Sequence, residues 1–127
     1  MKYIILILLT ISFSSYGQHK KCHEFKTGEF VYPNLQSKIS LRHETIQESY
    51  NNGKLEAVWK VKWLNECEYE LICEKVLTDN VPFKIGDRMA VTILETDSNC
   101  YTFSLIVYNE LYPKGFKIPN GKMCRKP

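Results

Sequence analysis

Leu55-Glu56-Ala57-Val58-Trp59-Lys60-Val61-Lys62-Trp63, followed across Leu64-Asn65-Glu66 by Cys67-Glu68-Tyr69-Glu70-Leu71-Ile72-Cys73-Glu74-Lys75, is the stretch that decides the fold. In both halves the odd positions as far as Cys73 are apolar, and most even positions carry Lys or Glu. That two-residue period belongs to a strand with one buried face, and two such strands in succession must bury the same face. A two-residue turn would put Trp63 opposite Glu66 and set the faces out of step. A three-residue loop of Leu64, Asn65 and Glu66 pairs Trp63 with Cys67, Val61 with Tyr69 and Trp59 with Leu71. Outside, it matches Lys62 with Glu68 and Lys60 with Glu70, so the glutamate series 66, 68, 70 and 74 reads as a solvated face.

Working outward, Asn51-Asn52-Gly53-Lys54 is a strong hairpin signal, because Asn and Gly both accept the positive φ of a type I′ turn. It joins a strand over 45–50 to the one over 55–63, and His43-Glu44 turns back to a strand over 38–42. Alternation resumes over 88–95 with Met89, Val91 and Ile93, and over 100–108 with Tyr101, Phe103, Leu105 and Val107. A short strand around Phe30 precedes them all. No window keeps a helical apolar stripe. The expectation is an all-β antiparallel meander of about seven strands, closed or half-closed into a small lipocalin-like barrel, with a β-sandwich as the alternative. The barrel domain spans 18–113. Beyond Pro113 the alternation stops, and residues 114–127 read as an irregular basic tail with Lys114, Lys117, Lys122, Arg125, Lys126 and no acid.

With 127 residues, 44% hydrophobic, 24% charged and a net charge of +3, composition excludes disorder, collagen and a multidomain chain, but names no substrate. Residues 1–17 combine Lys2 with a short apolar run ending at Ile11, too short to span a bilayer, and Ser15 and Gly17 suit a signal-peptidase cut before Gln18. The mature chain is therefore expected to be secreted or periplasmic, with no stable membrane insertion. Five cysteines remain, an odd number, so one stays free or pairs between chains. Cys67 and Cys73 lie on one strand, too far apart to join. Cys100 beside the Asp97-Ser98-Asn99 turn and Cys124 on the tail can meet, while Cys73 on the buried face behaves as a small hydrophobe. The rival is Cys73 with Cys100. His19, Cys22 and His23 lack a zinc-knuckle spacing, and neither metal nor cofactor is expected.

No G-x-S-x-G, H-E-x-x-H, phosphate-binding glycine loop or calcium loop occurs, so no catalytic residue is assigned. One position stands out. With Asn52-Gly53 as a two-residue turn, Glu48 faces Ala57 and shares the buried face with Ile46 and Tyr50. A carboxylate aimed into an apolar interior marks either a wet barrel mouth or a cavity for a polar ligand, walled by Trp59, Trp63 and Tyr69. The tail lacks the alternating aromatics of a nucleic-acid surface, and no nucleic-acid partner is expected.

Cys22-x-Glu24-Phe25-x-Thr27-Gly28-Glu29-Phe30, Ile39-x-x-Arg42, Ile46-Gln47-Glu48, Val61-x-Trp63-Leu64-x-x-Cys67-x-Tyr69-x-Leu71 and Val91-x-Ile93 together resemble a family of small exported proteins from Bacteroidetes, over about residues 22–103. The resemblance implies export and a bridge between Cys22 and Cys67, and supplies no activity. A topoisomerase label carried by some relatives finds neither an ATPase motif nor enough chain here. Cys73, Cys100 and Cys124 depart from the family pattern. The expectation is thus a monomeric, non-enzymatic exported barrel that binds a small ligand or a partner protein. A small hydrolase-like enzyme using Glu48, or an envelope structural or host-interaction factor, is the alternative.

Overall fold

The computed structural model describes residues 20–79 and 81–127; the expected signal peptide and its cleavage site lie outside them. A single 3₁₀ turn, Cys22–Phe25, leads into eight strands: β1 (Gly28–Tyr32), β2 (Leu35–Arg42), β3 (Ile46–Asn51), β4 (Lys54–Asn65), β5 (Glu68–Val76), β6 (Arg88–Thr96), β7 (Cys100–Tyr108) and β8 (Phe116–Arg125). Each strand pairs antiparallel with the next, and β8 returns to β1, so the sheet closes into an up-and-down barrel. The all-β meander and its closure follow the alternation in the sequence. One strand does not. The tail expected to be irregular supplies β8, whose alternation is interrupted by Pro119-Asn120-Gly121, where an extra residue bulges opposite the step from Phe103 to Leu105.

An eight-stranded barrel has an interior just wide enough to be filled by side chains. Here Ala57, Trp59, Val61, Tyr69, Leu71, Cys73, Val91, Ile93, Tyr101, Phe103 and Met123 fill it, all buried. Gly121 sits against the Phe103 ring, a contact that a Cβ would displace. Asn52, at φ 50°, and Gly53, at φ 77°, make the hairpin turn that their types demand.

Three registers differ from the expected ones, two of them through bulges. Between β4 and β5, Trp63 faces Tyr69, Val61 faces Leu71 and Trp59 faces Cys73, so the buried faces are as expected but the pairing slides by two residues. Leu64 bulges out, the strand runs on to Asn65, and Asn65 Oδ1 accepts the Cys67 N–H at 3.0 Å to tighten the turn. Outside, Lys62 consequently meets Glu70 and not Glu68. Between β3 and β4 the turn starts as expected, with Tyr50 opposite Leu55, but Glu56 is an extra residue and the next pair is Ser49 with Ala57. Past that bulge the parity reverses. Gln47 faces Trp59 and turns inward, while Glu48 faces Val58 on the outer side.

The chain from 43 to 46 also makes a wider turn than His43-Glu44 alone, with Arg42 opposite Gln47 and the His43 N–H donating to the Ile46 carbonyl at 2.8 Å. Arg42 and Ser40 therefore point inward, and Ile39 and Leu41 do not.

Both disulfides form as expected. Cys22–Cys67 ties the 3₁₀ turn to the β4–β5 turn, Cys100–Cys124 joins facing positions of β7 and β8, and Cys73 is a free, buried thiol.

Candidate functional site

The two ends of the barrel differ in chemistry. At the 3₁₀ end the interior is closed by Phe25, fully buried, whose ring packs 5.1 Å from Tyr101 and lies beneath the Arg125 guanidinium at 4.5 Å. Arg125 also donates to the Glu24 carbonyl at 2.7 Å, so the last strand clasps the first turn.

Beneath this cap lies Arg42, 1% exposed, with no carboxylate among its hydrogen-bond partners. Its Nε donates to Gln47 Oε1 at 2.8 Å and one terminal nitrogen to the Phe25 carbonyl at 2.8 Å. The other donates to the Tyr69 and Tyr101 hydroxyls, each at 2.9 Å. These bonds use four of the five guanidinium donors. The cation also stands 4.8 Å from the Phe30 ring centre and 4.5 Å from that of Tyr69, where aromatic faces present negative charge. The Tyr101 hydroxyl donates to Met123 Sδ at 3.2 Å, so the 3.0 Å contact between the two hydroxyls is a donation from Tyr69 to Tyr101.

A buried cation is thus held by neutral oxygens and ring faces. Burial works against its charge, and Tyr101 and Tyr69 outweigh that burial, leaving its pKa above the ordinary arginine value. The Tyr69 hydroxyl is held well above its usual 10.0, chiefly by burial, against the pull of Arg42. An unfolded tyrosine loses its proton near pH 10 while folded Tyr69 keeps it, so this contribution to stability is complete below pH 10 and is lost as pH rises beyond it. The urea midpoint should fall more steeply above pH 10 in the wild type than in Tyr69→Phe; parallel pH curves for the two proteins would contradict this.

The residues expected to line one ligand cavity are separated. Tyr69 belongs to the Arg42 cluster, and Trp63 packs against it at 4.6 Å near the same end, with Lys26 Nζ 5.6 Å from the Trp63 ring centre. Trp59 lies deeper, its Nε1 donating to Ser49 Oγ at 3.1 Å, and is covered by Phe83 at 4.8 Å. Glu48, expected to face the interior, is on the outer wall, where its carboxylate accepts from Tyr50 at 3.0 Å and contacts His43 Nε2 at 3.1 Å. The inward carboxylate is instead that of Glu56, the bulge residue, 7% exposed and paired to Lys38 Nζ at 3.2 Å.

Sequence reasoning missed Arg42, Gln47 and Tyr101 as a polar cluster. Ile39 and Leu41 mimic the buried set of β2, and no local signal marks the wide turn that reverses them.

At the other end, Phe83, from the connection between β5 and β6, packs against Trp59 and the core. In the same connection the Gly86 N–H donates to the Cys73 carbonyl at 2.8 Å, and Cys73 N–H donates to the Asp87 carbonyl at 2.9 Å. Burial first, then the nearby Asp87 carboxylate, push the Cys73 thiol pKa upward. Little of the reactive thiolate is therefore available. Native protein should react with iodoacetamide at pH 8 about a hundredfold more slowly than after unfolding in urea, as followed by mass spectrometry; equal rates would mean that the thiol is open to solvent in the folded protein.

This loop end carries most of the exposed large apolar side chains, led by Leu111 at 82% and Ile85 at 70%, with Leu77, Tyr112, Phe116 and Ile118 beside them and Tyr32 and Leu35 on the β1–β2 turn. A cleft of about 380 Å³ separates 81–87 from 109–111, and is lined by Pro82, Phe83, Asp87 and Leu111. Among the described residues no three His, Cys, Asp or Glu side chains converge on a metal-sized site, and no helix is long and apolar enough to cross a membrane. Cys22 is committed to its disulfide, and His19 lies outside the described residues.

Fold and ends together define a closed eight-stranded up-and-down barrel with a packed interior, a cation-plugged end and an apolar rim. Comparison of the chain with protein-family models, curated proteins and solved structures returned no match.

Proposed function

We propose that this chain is a non-enzymatic binding protein of an oxidising, extracytoplasmic compartment that engages a partner protein with the loop end of its barrel. The observation that carries this reading is the apolar rim: Leu77, Ile85, Leu111, Tyr112 and Phe116 gather on the loops and the β8 start around one mouth, while the interior beneath them is filled. Contiguous exposed apolar surface is costly for a soluble chain and is retained where something covers it. Two disulfides support a compartment where thiols oxidise, and the amino-terminal residues 1–17 support export.

A photo-reactive benzoylphenylalanine at position 111, introduced in the native host, should give a discrete cross-linked adduct, and one at Leu64 on the closed end should not. Adducts at both positions, or at neither, would refute the assignment.

A second reading, a small ligand, is favoured by the cleft beside Phe83, whose volume suits a small molecule. Native mass spectrometry of protein isolated from its own periplasm or medium distinguishes the two, because a retained small mass would favour the ligand.

A further inference from the structure

β8 is ten residues long, yet it is joined to β1 at only two pairs, Phe30 with Arg125 and Val31 with Cys124. Residues 116–122 have β7 on one side and, among the described residues, no strand on the other, so the wall is notched from the seam up to the loop end. Three further observations bear on what the notch accepts. Pro119, which has no N–H to give a ladder, sits in the β8 bulge opposite the step from Phe103 to Leu105, a placement compatible with an unpaired edge. Both banks carry exposed apolar side chains: Phe116 and Ile118, opposite Val107 and Leu105, on one side, Leu35 on the other. Finally, Lys114 and Lys117 have no carboxylate within ion-pair distance among the described residues, and residues 114–127 contain no acid.

We propose that the notch is a strand-addition site, in which an extended, carboxylate-bearing segment of a partner protein pairs with the free edge of β8. The proposal rests on the loop end being the working surface, and says how the partner is held. Unpaired backbone groups along an edge are the template that such recognition uses, with alternate side chains of the incoming strand seated on the apolar banks. Charge selects the occupant. A second copy of this chain would bring the same lysines to the same edge, whereas an acidic segment neutralises them.

The probe is acetylated, amidated Glu-Val-Glu-Val-Glu-Val-Glu, compared with its Lys-Val counterpart and with two acidic versions N-methylated on alternate residues, one set for each edge. Calorimetry gives affinities, and amide exchange reports protection of β8. The acidic peptide should protect amides within 116–122 and bind at least about tenfold more tightly than the lysine peptide. The exposed Lys114→Glu/Lys117→Glu variant should reverse that preference. One N-methylated peptide should lose at least about tenfold in affinity and the other keep it within about threefold, because strand addition uses the bonds of one edge only.

Absence of protection in β8, equal loss for both methylated peptides, self-association through β8 in sedimentation, or binding to phosphatidylglycerol vesicles in place of peptide would each overturn the proposal. If the adduct at position 111 forms while the peptides fail, strand addition is refuted and loop-end binding stands; if neither occurs, both are refuted.

Discussion

Replacing Arg42 by Ala is expected to lower the unfolding free energy by about 3–5 kcal/mol, the range for truncating a large buried side chain, to which the unsatisfied hydrogen-bond partners contribute. The loss is not one of an ion pair, because the four oxygens around the guanidinium are an amide, a backbone carbonyl and two hydroxyls. Without Arg42 those acceptors face each other in a dry space, each costing about 1–3 kcal/mol in desolvation that is no longer offset. The ring faces of Phe30 and Tyr69 also lose the side chain packed against them. Lysine does not rescue the site, since its three donors cannot reproduce the planar fork that reaches four partners. Arg42→Met combined with Gln47→Leu should recover part of the loss by replacing the polar set with apolar bulk. Urea denaturation with an unchanged slope is the measurement; a cost below about 1 kcal/mol for Arg42→Ala would mean that the cluster contributes little.

Removing the Cys22–Cys67 disulfide, as Cys22→Ser/Cys67→Ser, is expected to cost about 2–4 kcal/mol. The bridge closes a 45-residue loop and is one of few ties between the 3₁₀ turn and the sheet. Phe25 rides on that turn, so loosening it uncovers the roof of the Arg42 cluster as well. Removal of Cys100–Cys124 should cost less. It spans 24 residues and links strands that pair on either side of it, so most of its constraint is already supplied by the ladder. Thermal unfolding of both double variants makes the comparison, and the reverse ranking would show that the 3₁₀ turn is held mainly by packing.

The architecture was legible because alternation is a property of each strand alone. β4, β5, β6 and β7 each declare a buried face, and Asn52-Gly53 declares a turn. Register was less legible, since it depends on bulges that carry no composition of their own. Glu56 and Leu64 look like ordinary strand residues, yet each shifts a pairing, and the first of them moves Glu48 from the inside of the wall to the outside. β8 was hidden for a related reason, because Pro119 and Gly121, normally breakers, are tolerated where one edge is open and where Phe103 needs space. The Arg42 cluster is assembled from the 3₁₀ turn, β2, β3, β5 and β7 and has no linear signature. The loop-end rim is likewise a sum of single exposed residues from separate connections.

The seam between β1 and β8 sets the order in which the molecule can be made. Seven of the eight strand contacts join neighbours in the chain and can zip as each hairpin emerges, but Val31 must wait for Cys124, almost at the end. Until β8 is in place, the first seven strands can form no more than an open sheet with two bare edges and Cys73 not yet sealed. Cys22 and Cys67 can be oxidised in that open sheet, whereas Cys100 cannot meet Cys124 until β8 arrives, and until then the oxidant of the refolding buffer can join it to the free Cys73 thiol. Acid-quenched oxidative refolding should accordingly show Cys22–Cys67 before Cys100–Cys124, with transient Cys73–Cys100 species that a Cys73→Ala variant lacks. Simultaneous appearance of both native bridges would instead place seam closure ahead of oxidation.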